Sequence, residues 1–204
     1  MYRIENDLQR VPLKRLRPTQ MTVGFREVRE KQREWAALSK KKRRSAMREE
    51  LFPAVIGPKG NFYILDHHHS ALALVREGAD EVQVGMVRDL AALDTEAFWI
   101  YLDHQSWAHP YDQHGRRRAL SDMPSQFAKL RDDPYRSLAG DIRDKGGFAK
   151  SEAPFLEFLW TNYLRAKISK KLLGSHYNRA VDRGLRLAHS KEAQYLPGWT
   201  GHRA

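Results

Sequence analysis

The period of apolar and polar positions changes several times along the chain, and each change predicts an element. Arg10 to Leu16 (RVPLKRL) alternates enough for a short strand, and Pro12, with no N–H to donate, predicts a place at a sheet edge. Pro18 closes that strand. From Phe25 to Leu38 the apolar residues Phe25, Val28, Trp35 and Leu38 fall on one stripe among charges three and four residues apart, which predicts a surface helix. It runs into Lys40-Lys41-Lys42-Arg43-Arg44, read as a solvated helix end or a loop.

Two β-rich runs follow, Ala54 to Gly57 and Phe62 to Leu65, and the turn formers Pro58 to Asn61 between them predict a hairpin. Directly after it stand Asp66-His67-His68-His69-Ser70, then a helical pattern (Leu72, Leu74, Val75) that Gly78 stops. Glu81 to Val87 alternates as a strand, and Asp94 is placed to cap a helix over Thr95 to Trp107. Beyond Pro110 a polar loop, Tyr111 to Arg118, gives way to helical segments near Ser125 to Leu130, Tyr135 to Lys145, Pro154 to Leu173 and Tyr177 to His189, broken by Pro134, Gly146 with Gly147, and Gly174. The fold class predicted is α+β: a mixed-sheet domain over residues 1–108, then a mostly helical region, 109–204, packed on it.

Composition narrows the chemistry. The 204 residues include no Cys, which removes disulfides, thiol nucleophiles and cysteine zinc sites and makes a cytoplasmic location the expectation. No apolar run approaches the roughly 20 residues of a membrane span, and the first residues carry no signal-peptide pattern. The formal net charge is +11, unevenly spread. Residues 1–50 hold 15 basic and 7 acidic side chains, whereas 51–100 hold 3 and 7. The basic ends could attract nucleic acid or phosphorylated small molecules.

Asp66 to Ser70 is the sharpest local feature, because it opens a helix straight after a strand. A helix start presents unpaired N–H groups and about half a positive charge, and imidazoles and a hydroxyl gathered there make a phosphate cradle. Asp66 has two readings, a helix cap or a ligand to a divalent metal accompanying a nucleotide. Neighbours on a helix point about 100° apart, so at most two of His67, His68 and His69 could converge on one ion. The ordinary alternative is that some of them pack or bond internally.

The order of elements carries a family resemblance. Leu16-Arg17-Pro18-Thr19-Gln20, Pro53-Ala54-Val55-Ile56-Gly57 and Ile64 to Leu74, with its DHHH block, resemble the ParB/sulfiredoxin-type nucleotide-binding superfamily and, more closely, the putative ParB-like nuclease family. Asp133 to Leu138 and Phe155 to Trp160 resemble that family's C-terminal half. The resemblance implies a site for a nucleotide (ATP, ADP or CTP) with Mg2+, the phosphates lying against His67, His68, His69 and Ser70, with Thr19, Gln20 and Arg136 as further contacts and His68, His69 and Asp66 as catalytic candidates. Relatives include CTP-hydrolysing partition proteins and free-serine kinases. Kinase-type members have a carboxylate base where this chain has Gln20, which cannot take a proton, and Arg where it has Ser70.

Three functional readings follow. A nucleotide-dependent phosphotransferase or hydrolase is the first. A DNA-binding or nuclease-like protein of chromosome-partitioning type is the second, although no helix-turn-helix is evident in the last part of the chain. The third is a metal-dependent enzyme combining His69 with the loop that carries His104, His109, Asp112 and His114. A solvated polar loop is the alternative for those four, and a solvated charge run for Arg116 to Arg118. Arg136 and Arg143 share a helix face, favouring a structural ion-pair network, and the stripe from Phe155 to Leu164 reads as core or, less favoured, as a homodimer surface.

Overall fold

The computed structural model describes Ile4 and residues 8–201. These divide into two compact units, one of Ile4, 8–23 and 28–132, the other of 24–27 and 133–201. The architecture is mixed α+β, with a mostly helical C-terminal part. The change of texture at Pro110 is not where the units part. Residues 109–132 stay in the unit that holds the sheet, where Arg131–Asp132 pairs in parallel with Thr22–Val23.

In chain order the strands are β1 (Leu8–Pro12), β2 (Leu16–Pro18), β3 (Thr22–Val23), β4 (Leu51–Ile56), β5 (Phe62–Ile64), β6 (Glu81–Asp89) and β7 (Arg131–Asp132). Five of them form one sheet in the order β1-β6-β4-β5-β2, and β3 with β7 forms a separate pair. The single strand expected over residues 10–16 is broken by a 3-10 turn, Leu13–Arg15. Its two halves lie at opposite edges of the sheet, with Pro12 ending the β1 edge, where a missing N–H costs no ladder bond. The predicted hairpin is the antiparallel pair β4 and β5, and β6 runs parallel to β4 with a register shift after Ala54.

The helices of this unit are α1 (Phe25–Ala37), whose first turn belongs to the other unit, α2 (Lys40–Glu49), α3 (His68–Arg76) and α4 (Thr95–His104). The basic run is a solvated helix end rather than a loop, but the helix is one that it opens and not the one before it. Ser39 accepts from the N–H of Lys42 and caps a separate helix, α2, none of whose residues is buried. Asp94 caps α4 as expected, accepting from the N–H of Ala97 at 2.8 Å. Phe98 and Leu102 of α4, both fully buried, pack with Val55, Val87 and Met123 in one cluster.

The C-terminal unit contains α5 (Pro134–Asp144), α6 (Leu156–Lys167), α7 (Lys170–Ser175) and α8 (Tyr177–Ala188). The short stretch 125–130 forms only a 3-10 turn, Phe127–Lys129, before β7. The long helix expected over 154–173 is two, since Ile168 is extended and Ser169 caps α7; Gly174 lies inside α7 rather than ending it. Leu138, Ile142, Trp160, Tyr163, Leu164 and Val181 share one core. The aromatic stripe is therefore largely core, with Leu159 exposed.

Arg136 and Arg143 both pair with Glu157 of α6, the structural network their spacing favours. The guanidinium of Arg136, only 9% exposed, also lies over the Phe158 ring. Among the described residues, no helix is long and apolar enough to cross a membrane.

Candidate site at the start of the third helix

Strand β5 delivers the chain to Asp66, and α3 begins two residues later. The residue at the junction is His67, held at φ 62° and ψ 27°, a left-handed conformation that costs a non-glycine residue roughly 1 kcal/mol or more. Asp66 does not cap the helix. Its Oδ1 accepts from the N–H of His67 at 2.7 Å, bracing the strained residue instead.

The next two histidines turn inward. His68 and His69 are both buried, at 4% and 7% exposure. The Nε2 of His68 accepts from the backbone N–H of Thr19 at 3.0 Å, so the ring proton sits on Nδ1. Burial, outweighing the pull of Asp66, lowers the His68 pKa to about 3. A neutral ring whose lone pair is committed to Thr19 is a structural tie between β2 and α3, not a proton carrier.

Thr19 and Gln20 are braces of the same kind. The Thr19 hydroxyl donates to the carbonyl of Ile64 at 2.8 Å, and the Gln20 amide donates to the carbonyl of Thr22 at 2.8 Å. The carbonyl of Thr19 accepts from the N–H of His109 at 2.8 Å. His109 is therefore the member of the polar loop that reaches this cluster. It is buried, stacked on Tyr111 at 4.5 Å, and its pKa is lowered to about 3 by burial and the neighbouring His68. His104 and His114 are exposed, and Asp112 spends its Oδ1 on the N–H groups of His114 and Arg116, an ordinary loop-closing role. Arg117 pairs with Asp103 and Arg118 with Asp122.

The solvent-facing part of the site contains a residue that sequence reasoning missed. Glu50, immediately after α2, places Oε1 3.4 Å from Nδ1 of His67, and its carboxylate accepts from the buried hydroxyl of Ser70. The bond to Glu50, against the opposing effect of burial, raises the His67 pKa, and Asp66 adds to the rise. Burial alone would raise the pKa of Glu50, but the bonds to His67 and Ser70 hold it below the ordinary carboxylate value. Phe52, two residues along on β4, sets its ring edge against His67 at 5.7 Å. Nothing in the string Arg48-Glu49-Glu50 distinguishes one glutamate from the other; only the turn from α2 into β4 aims Glu50 at α3.

The donor set suits an anion at His67 better than a protein-held metal. Asp66 is committed to a backbone N–H and Glu50 to His67 and Ser70. Among the described residues, no group of three or more His, Asp or Glu side chains could hold a metal ion. The pairing of His69 with the His104 to His114 loop around a metal is thus not formed, and Arg136 belongs to the C-terminal unit, engaged by Glu157.

Among solved structures, the chain is similar to the crystal structure of protein Atu1540 from Agrobacterium tumefaciens, with 41% sequence identity and a TM-score of 0.91, covering 97% of this chain and 98% of that one. No match is found among the curated proteins. The family model described as "Putative ParB-like nuclease" matches residues 9–166, which takes in the sheet, the DHHH helix start and the Arg136–Glu157 pair. By that match the chain belongs to the putative ParB-like nuclease family.

Proposed function

We propose that the chain is an enzyme of phosphoryl chemistry, transferring or hydrolysing the phosphate of a nucleotide bound at the start of α3. The observation that carries this reading is the Glu50–His67–Ser70 array on a strand-turn-helix junction. The helix start favours an anion, and a protonated His67 beside it contributes a second positive element and a proton for a leaving oxygen. Glu50 supplies the carboxylate that position 20 lacks, and it can take the proton of an attacking hydroxyl or water. Ser70 orients Glu50, and His68 and Thr19 hold the junction rigid. Magnesium would arrive with the nucleotide, and no step is assigned to it.

The family's description as a ParB-like nuclease, together with the basic N-terminal quarter, favours a second reading in which the substrate phosphate is a phosphodiester of nucleic acid. One comparison separates the two. Thermal shift with ATP, ADP, CTP and GTP plus magnesium is run beside a gel-shift titration at low and high salt. A nucleotide shift that His67→Ala and Glu50→Gln abolish supports the first reading. No shift with any nucleotide, together with salt-sensitive DNA binding, replaces it with the second.

A further inference from the structure

On residues other than those of the α3 junction, α2 lies over the β1–β6 edge of the sheet and borders an open cleft of about 280 Å³. Arg44 and Arg48, one helical turn apart on α2, line one side, and Arg10 of β1 with Glu81 and Gln83 of β6 line the other. Met47 and the buried Val82 add an apolar surface.

The charge of this cleft is not balanced by its described residues. Arg10 approaches Glu81 at 3.5 Å, while Arg44 and Arg48 have no ion-pair partner among the described residues. Among the described residues, three guanidinium groups against one carboxylate leave a lining of +2. Parallel donors on guanidinium groups match phosphate oxygens in a way ammonium groups do not. A phosphate monoester near neutral pH carries nearly two negative charges on one group, which matches the lining, whereas each link of a phosphodiester chain carries one. The volume lies near the lower end of the range for small-molecule sites, about 300 Å³ and upward.

We propose that the cleft between α2 and the β1–β6 edge is a second phosphate site, built for the phosphate of a small monoester with Arg44 and Arg48 as its principal donors and Met47 and Val82 against the ester's carbon chain. It stands independently of the reading made for α3, since none of its residues belongs to that junction.

Calorimetric titration of the full chain tests it with three probes: glycerol 3-phosphate, inorganic phosphate and a short single-stranded oligonucleotide, each at low and high salt. Glycerol 3-phosphate is expected to saturate one site. Arg44→Ala with Arg48→Ala is expected to weaken it by about tenfold or more, and His67→Ala to leave it unchanged. Both arginines are exposed, and equal melting temperatures would show the double variant folded; Arg10→Ala, on the opposite wall, is a second probe of the same cleft. The proposal is overturned if no phosphate saturates, if the arginine variants bind as the wild type does, if His67→Ala removes the binding, or if the oligonucleotide binds where the monoester does not.

Discussion

The N–H of Thr19 donates to the Nε2 of His68 at 3.0 Å, joining residues 49 apart in the chain. Thr19 is 2% exposed and His68 4%, so neither group has water as an alternative partner. The bond fixes the tautomer of His68 and ties the end of β2 to the first turn of α3. It also leaves the exposed His67, one residue earlier, as the histidine of that turn open to solvent.

Removing that tie destabilises the protein. His68→Ala leaves a buried N–H unsatisfied and opens a cavity, for an expected loss of about 2–4 kcal/mol. His68→Gln, which can still accept from Thr19, is expected to lose less. Urea unfolding of the two variants checks the order, and equal losses would show that the hydrogen bond contributes nothing.

The same burial gives a pH dependence. The folded-state pKa values of His68 and His109, about 3, lie below the ordinary histidine value, so the unfolded chain takes up protons that the folded chain refuses. Stability is full above about pH 6.5 and falls as pH drops towards 3, by about 1.4 kcal/mol per pH unit for each such histidine. Denaturant midpoints measured from pH 7 to 5 should fall in the wild type and fall less steeply in His68→Gln.

His67 runs the opposite way. Its pKa is raised first by the bond to Glu50, so the contribution of that pair is present below the unfolded histidine pKa and fades as pH rises through the raised folded value. In an NMR titration of the histidine rings, Glu50→Gln should bring the His67 midpoint down towards its ordinary value. A midpoint indifferent to that substitution would remove Glu50 from the site.

In the C-terminal unit, Glu157 bridges two arginines of α5, Arg136 and Arg143, the second of which also pairs with Asp144. Glu157→Ala strands the buried Arg136, leaves Arg143 only its neighbour Asp144, and is expected to cost about 3–5 kcal/mol. Glu157→Met together with Arg136→Met should recover part of the loss, because it removes one stranded charge along with the carboxylate. Thermal melting of the single and double variants reads the difference.

Gly24 lies against α5 at a distance that admits no side chain. An added Cβ would stand 2.7 Å from the backbone nitrogen of Ser137, a group that cannot swing aside. Gly24→Ala is expected to destabilise by about 1–3 kcal/mol, read as a lowered melting temperature.

Much of the fold is legible in the sequence because local physics decides it. The Pro58–Asn61 turn between two β-rich runs, the Asp94 cap, the alternation along β6 and the seven-residue spacing of Arg136 and Arg143 need no distant partner to be read. The strand-turn-helix setting of Asp66 to Ser70 is legible for the same reason. What each histidine does there is not. Three identical side chains in a row differ only in what the rest of the chain puts beside them: Thr19 beside His68, and Glu50 beside an exposed His67. The local sequence likewise leaves open the opposite-edge placement of β1 and β2, the pairing of β7 with β3 in the same unit as the sheet, and the cleft under α2. Propensity and periodicity act over a few residues, whereas burial, protonation and charge pairing are set by contacts that only the folded chain brings together.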